Sequence, residues 1–249
     1  MNADNKIGII IQARMGSTRL PNKVNKLIYN DETVLGYLID RLKLKFYAYK
    51  IIIATTSLEE DNVICNIAAN KAIISTKGKI NNVLSRFYNA AKSHNLKHII
   101  RINSDCPLVC TYLIRDVVDF YFLGKFDYVA TILSDTFPIG QHVEVFSFNA
   151  LSKAYVNAKL DVDKEHVTPY IYNNPNIFKI GSFKNINNMS NIRMTLDYEE
   201  DLIFFRKLAS YIGENKDIYS YKDIVRIIEN DKELIKINQH LYKVQSIIH

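Results

Sequence analysis

The sequence predicts an α/β protein, a mostly parallel sheet with helices on both faces and one inserted arm. Three observations predict it. The short runs KIGIIIQA, YKIIIATT and KHIIRIN are so continuously apolar that each suits a strand buried on both faces. Between them lie segments whose apolar residues recur at helical spacing. The two kinds alternate from the amino end to about residue 130, the order that right-handed crossovers between parallel strands produce.

Taken in order, KIGIIIQA is the first strand, and it runs into a loop rich in turn formers and cations. TVLGYLIDRLK follows as a helix, with Val34, Leu35, Leu38, Ile39 and Leu42 on one face and Thr33 as its cap. YKIIIATT is a strand, LEEDNVICNIAAN a helix opened by acids, and KAIIST a strand. NNVLSRFYNAAKSH places Val83, Leu84, Phe87, Tyr88 and Ala91 on one helical face before the strand KHIIRIN. TYLIRDVVDFYFL and FDYVATI repeat the alternation. The rhythm changes after about residue 132: VEVFSF reads as a strand, two helical pieces fall near residues 150 to 173, and NIFKIGSF and NIRMTL read as strands. YEEDLIFFRKLASYI and YKDIVRIIEN close the chain as amphipathic helices.

With 249 residues and 48% hydrophobic content, the chain can bury a sizeable core. No repeat, low-complexity linker or Pro/Gly-rich boundary divides it, so a single domain over residues 1–249 is expected, with an arm inserted at about 132–190. The formal net charge of +6 comes from lysines scattered among Asn and Ile, without the dense basic runs and interleaved aromatics of a nucleic-acid binder. It leaves a mild preference for small anions. No apolar stretch is long enough to span a bilayer, and MNADNK lacks the layout of an export signal, so the cytoplasm is the expected address. Cys65, Cys106 and Cys110 are odd in number and irregularly spaced, which suits neither disulfides nor zinc.

The opening loop carries the first chemistry. In IIIQARMGSTRLPNK, the cations Arg14, Arg19 and Lys23 surround Gly16, Ser17 and Thr18 at the end of a strand, where open α/β sheets bind ligands. The order of residues is neither a P-loop nor a dinucleotide fingerprint. Backbone amides near Gly16, the planar fork of Arg14 and the mobile charge of Lys23 nevertheless suit a triphosphate; the alternative is a solvated loop. Asp105, in RINSDCPLV, and Asp197, in RMTLDYEEDL, each follow a strand-like run. Delivered to one rim, the two carboxylates suit Mg²⁺, which takes few carboxylates together with waters and phosphates. Each Asp is also a reasonable helix cap when taken singly.

IIIQARMGSTRLPNK, NNVLSRF, RINSDCPLV, TFPIGQHVEVFS, EHVTPYI and RMTLDYEEDL occur in this order over roughly residues 7–205, and together they resemble the SpsF family of cytidylyltransferases, which is similar to CMP-KDO and CMP-sialate synthetases. The resemblance implies a Rossmann-like nucleotidyltransferase fold, CTP and Mg²⁺ as substrate and cofactor, an acidic sugar as acceptor for surface polysaccharide synthesis, and a homodimer formed largely through the arm. It implies that Arg14 and Lys23 hold the triphosphate, that Ala13, Gly16 and Ser17 line the nucleotide pocket, and that Gly78 to Asn82 face the nucleoside. Ser104 and Asp105 would adjoin the nucleotide, Asp105 and Asp197 would hold the metal, and His142, Glu144, His166 and Arg193 would lie nearer the sugar.

Three positions depart from the family pattern: Ser104 stands where Gly is usual, His142 where an acid is usual in the Gly-x-Asp-x-Glu stretch, and Asn82 where an acid is common. Phe204 and Phe205 fall at core spacing beside Leu202 and Leu208, and His94, His98, His240 and His249 have no ligand-like companions nearby. Two further readings remain. A glycosyltransferase would use a similar fold and a metal-binding Asp, although a diphosphate donor demands less positive charge than this loop carries. A nucleotide-binding protein without catalysis would bind CTP and turn nothing over.

Overall fold

The computed structural model describes residues 6–214, 216 and 219–242. A seven-stranded sheet forms its centre, built from β1 (Ile7–Gln12), β4 (Lys50–Thr56), β5 (Ile74–Gly78), β6 (His98–Asn103), β7 (Tyr128–Ala130), β8 (Glu144–Ser147) and β9 (Ile180–Ser182) in the order β5-β4-β1-β6-β8-β7-β9. Pairing is parallel except where β8 enters antiparallel between β6 and β7. A small hairpin, β2 (Leu27–Tyr29) with β3 (Glu32–Thr33), lies apart. Its turn residues Asn30 and Asp31 both have positive φ, as a tight two-residue hairpin turn requires.

Strand alternation splits the core into two layers. Ile9 and Ile11 of β1 and Ile100 and Ile102 of β6 face α1 (Val34–Lys45), α2 (Asn62–Asn70) and α4 (Thr111–Leu123). Ile10, Ile52 and Ile99 face α3 (Val83–Ser93) and α5 (Phe148–Asn157). Each fully buried Ile or Leu of this kind contributes about 1.5–3 kcal/mol. The short helices α6 (Asp161–His166) and α7 (Pro169–Tyr172) lead from α5 towards β9. A third core joins the hairpin to α8 (Glu199–Ile212), α9 (Tyr221–Asn230) and α10 (Lys232–Lys236), with Phe204 and Phe205 inside it as their spacing predicts. Thr33 caps α1 as expected, accepting a hydrogen bond from the Gly36 amide at 3.0 Å.

The predicted strands and helices up to β7 are all present. Two differences lie beyond it. The helical stretch near residues 150 to 173 is three helices, not two. The run NIRMTL is extended but forms only one bridge, Arg193 with Ile139, because its amides bond to loops: Met194 to the carbonyl of Ile139 and Leu196 to that of Asp105. Gly140 makes this crossing possible, since its φ is +98° and an added Cβ would lie 1.9 Å from the Met194 carbonyl oxygen.

The chain passes from β1 outward through β4 to β5, then returns to place β6 on the other side of β1. The carboxyl ends of β1 and β6 therefore flank the point where the winding reverses, where open sheets hold their ligands. Among the described residues no helix is long and apolar enough to cross a membrane. His249 lies outside the described residues.

Candidate active site

The loop leaving β1 is fixed from beneath. Met15 and Leu20 are buried and anchor it, while Arg14, Gly16, Thr18 and Arg19 stay exposed and Ser17 is half-buried. The Ala13 amide bonds to the Ala54 carbonyl. The Met15 amide donates to Asp61 Oδ1 at 2.6 Å, and the other oxygen of that fully buried carboxylate accepts the Thr56 hydroxyl. Asn22, in the left-handed conformation, then turns the chain so that Lys23 points back to the rim.

Lys23 is where the predicted residues meet. Its Nζ lies 2.8 Å from Asp105 Oδ2, 3.0 Å from Asp197 Oδ1 and 3.0 Å from the Leu196 carbonyl oxygen. Arg19 reaches the same Asp197 oxygen at 2.9 Å. Burial opposes charge on Lys23, yet Asp105 and Asp197 outweigh it and raise its pKa above the ordinary value. Burial likewise opposes ionisation of Asp105, and Lys23 outweighs it, so the carboxyl lies below its ordinary range. Neither Asp caps a helix: Cys110 caps α4, and at the start of α8 it is Asp201 that accepts the amides of Asp197 and Tyr198.

Arg14 stands at the other side of the rim. No carboxylate among the described residues pairs with it, and its charge acts on Arg86 of α3. Arg86 is buried, binds the carbonyls of Lys79 and Ile80 through Nη1 at 2.8 and 3.1 Å, and has an Nε with no partner among the described residues. Burial first, and Arg14 second, push its pKa down to about 10, with Asp61 opposing. The opening loop thus divides its cations, Arg19 and Lys23 to the carboxylates and Arg14 to the β5–α3 edge. There Gly78 is packed against the Arg86 stem, and the Asn82 side chain caps α3 through the Ser85 amide at 2.8 Å. Ser104 is buried beside β1, its amide bonded to the Gln12 carbonyl.

The residues expected near the acceptor separate into two groups. His142 and His166 have access to solvent, His142 half-buried and His166 exposed at the end of α6. Burial lowers the His142 pKa, while Asp105, Glu144 and Asp135 pull it back only partly. Glu144 and Arg193 are each 4% exposed and work behind the rim. Glu144 pairs with Arg101 and accepts the hydroxyls of Tyr128 at 2.8 Å and Thr168 at 2.6 Å. Arg193 binds Asp201 at 2.8 and 2.9 Å and Asp197 Oδ2 at 3.3 Å, so it reaches the site through Asp197. Val167, at φ 72° with its own amide donating to the Asp163 carbonyl and the Thr168 amide to that of His166, turns the chain so that His166 faces out and Thr168 in, towards Glu144.

The oxygens of Asp105, Asp197 and Leu196 surround a single point that an ammonium group now fills, which is a cradle for a cation. Among the described residues no cluster of three or more His, Cys, Asp or Glu side chains could hold a metal. Two carboxylates and a carbonyl fit Mg²⁺, which completes its shell with water and phosphate oxygens.

Residues 8–235 match the family model described as cytidylyltransferase. The chain belongs to the cytidylyltransferase family. It is therefore a nucleotidyltransferase. The cytidylyltransferase is 38% identical over 239 residues to an uncharacterized protein of Methanocaldococcus jannaschii, covering 95% of this chain and 96% of that one. It is 28% identical over 236 residues to the spore coat polysaccharide biosynthesis protein SpsF of Bacillus subtilis, covering 92% and 96%. Among solved structures, a cytidylyltransferase from Leptospira borgpetersenii superposes with a TM-score of 0.87 at 31% identity, over 92% of this chain and 96% of that chain. A CMP:2-keto-3-deoxy-manno-octonic acid synthetase complexed with CTP shares the fold, with a TM-score of 0.61 at 13% identity over 84% and 100%.

Four supporting residues of the cytidylyltransferase were not foreseen. Asp61 holds the opening loop, and Arg86 holds the loop before α3. Gln141, fully buried, joins the Leu108 carbonyl and the Cys110 amide to the Gly140 stretch. Asn238, beyond the family match, donates to Asp201 Oδ1 at 2.9 Å and so braces the turn that carries Asp197. None of these carries a local signal in the sequence: Asn238, for instance, stands beside Gln239 and His240 in a mixed stretch.

Proposed function

We propose that the protein transfers CMP from CTP to an acidic sugar, releasing pyrophosphate, with Mg²⁺ as cofactor and in the service of surface polysaccharide or glycoconjugate synthesis. The observation that carries this reading is the convergence of Lys23, Asp105 and Asp197, from three distant stretches of chain, beside a loop of exposed cations. The name of the Bacillus subtilis relative, a spore coat polysaccharide biosynthesis protein, supports the polysaccharide setting.

In this reading a sugar hydroxyl attacks the α-phosphorus in line with the departing pyrophosphate, and negative charge grows on the leaving oxygens. Arg14, Arg19 and Lys23 are the groups that meet it, held in advance by the Asp61-anchored loop. Asp105, Asp197 and the Leu196 carbonyl would hold Mg²⁺, which when bound supplies further positive charge to the phosphate oxygens. In this reading His142, which senses the charge of Asp105, and His166, exposed at the end of α6, meet the acceptor. The reading extends to a cytoplasmic homodimer joined largely through the arm, where Tyr155, Val156, Leu160, Val162 and Ile177 are exposed apolar side chains in need of cover.

The test is incubation with CTP, Mg²⁺ and a panel of sugar acids and neutral sugars, following pyrophosphate. Release that requires an acidic sugar is expected. Arg14→Ala and Asp105→Asn should each lower turnover by about 10²-fold to 10³-fold while far-UV circular dichroism stays native. Unchanged turnover in either variant refutes the site, and release driven only by a neutral sugar refutes the acceptor class.

A further inference from the structure

We propose that Lys23 and the divalent cation take the same place in turn, so that Lys23 delivers its charge to the nucleotide only when a metal ion displaces it from Asp105 and Asp197. The inference rests on the reading of those carboxylates as metal ligands. An ammonium group has three donors and no more. Lys23 directs all three at the oxygens that form the cradle, at 2.8, 3.0 and 3.0 Å. Asp197 Oδ1 already faces two cations, since Arg19 lies 2.9 Å from it. A divalent ion cannot enter without either displacing the ammonium or lying against it, and like charges at such spacing repel strongly.

The local structure permits the displacement. Lys23 opens a single 3₁₀ turn, Lys23–Asn25, directly after the left-handed Asn22, and its charge sits at the end of four flexible methylenes. Side-chain rotation frees it without moving a strand. Once out of the cradle it has lost every partner it has here, and a polyphosphate held by the same loop is the anion within its reach. A nucleotide therefore offers Lys23 its alternative partner and a metal ion its additional ligands, which couples the binding of the two.

Mn²⁺ serves as the probe, with free ion measured by electron paramagnetic resonance in titrations of the nucleotide-free protein. Three proteins are compared: wild type, Lys23→Met, and Lys23→Met combined with Asp105→Asn. Circular dichroism first establishes that each is folded, and Lys23→Gln replaces Lys23→Met if the latter is not. The exchange predicts that the single variant binds Mn²⁺ at least about tenfold tighter than wild type, within the usual span of coupling between sites. The double variant should lose that gain. Wild type binding Mn²⁺ as tightly as the single variant, with the double variant binding poorly, overturns the exchange and leaves the metal assignment standing. A single variant that holds no Mn²⁺, or a double variant that binds as well as the single one, removes the metal assignment and the exchange with it.

Discussion

Lys23 and Asp105 shift each other in opposite directions, and the signs set a pH window for their joint contribution. Asp105 is held below its ordinary value of 3.8, with burial opposing and Lys23 prevailing, so its contribution to stability is complete above about 3.8 and is lost as the pH falls through the depressed folded value. Lys23 is held above 10.5, so its contribution is complete below about 10.5 and is lost as the pH rises through the raised folded value. Unfolding free energy measured in urea between pH 2.5 and 5 should therefore fall more steeply with acid for wild type than for Asp105→Asn. Parallel slopes would contradict the pairing. At this scale the residues that meet at the rim were legible, because Asp105 and Asp197 each follow a strand-like run and the cations crowd the loop after the first strand. Those that hold them were not. Asp61 meets Met15 across 46 positions, and no spacing in the sequence announces such a partner.

Four elements are tied together at Glu144. Its carboxylate joins β8 to β6 through Arg101, to β7 through Tyr128 and to the start of α7 through Thr168, and Gln12 of β1 receives the remaining Arg101 nitrogens at 2.9 and 3.2 Å. Glu144→Gln keeps the shape but leaves the buried guanidinium without its counter-charge. A loss of about 3–5 kcal/mol in denaturant unfolding is expected. A loss under about 1 kcal/mol would mean that Gln12 alone satisfies Arg101. The elements themselves were largely readable from apolar periodicity, which is why β1, β4 to β7 and the long helices agree with expectation. The hairpin β2–β3 escaped notice because strands of three and two residues carry no period. The run NIRMTL has the composition of a strand and is buried like one, but composition does not reveal that its hydrogen-bond partners are loops.

Across the described residues exposed apolar side chains occur in many places, and several of them fall in the arm. The exposed Tyr155, Val156, Leu160, Val162 and Ile177 lie at the end of α5, in the turn to α6, in α6 itself and just before β9. If they are the dimer contact, sedimentation velocity will give about twice the chain mass for wild type and a monomer for the double variant Val156→Glu, Leu160→Glu. A monomeric wild type at micromolar concentration would dismiss the dimer. The layered α/β plan was legible from strand and helix alternation, whereas the reversed direction of β8 was not, since a strand's heading depends on where the chain returns and not on its residues. That reversal has a consequence of its own. β7 ends and β8 begins on the functional edge of the sheet, so the whole connection 131–143, with Gln141 and His142 in it, hangs over the chemistry. The exit of β8 at Ser147 opens on the opposite edge. If His142 meets the acceptor as proposed, exchanging this one short connection is expected to change which sugar is used, with the helices downstream left where they are.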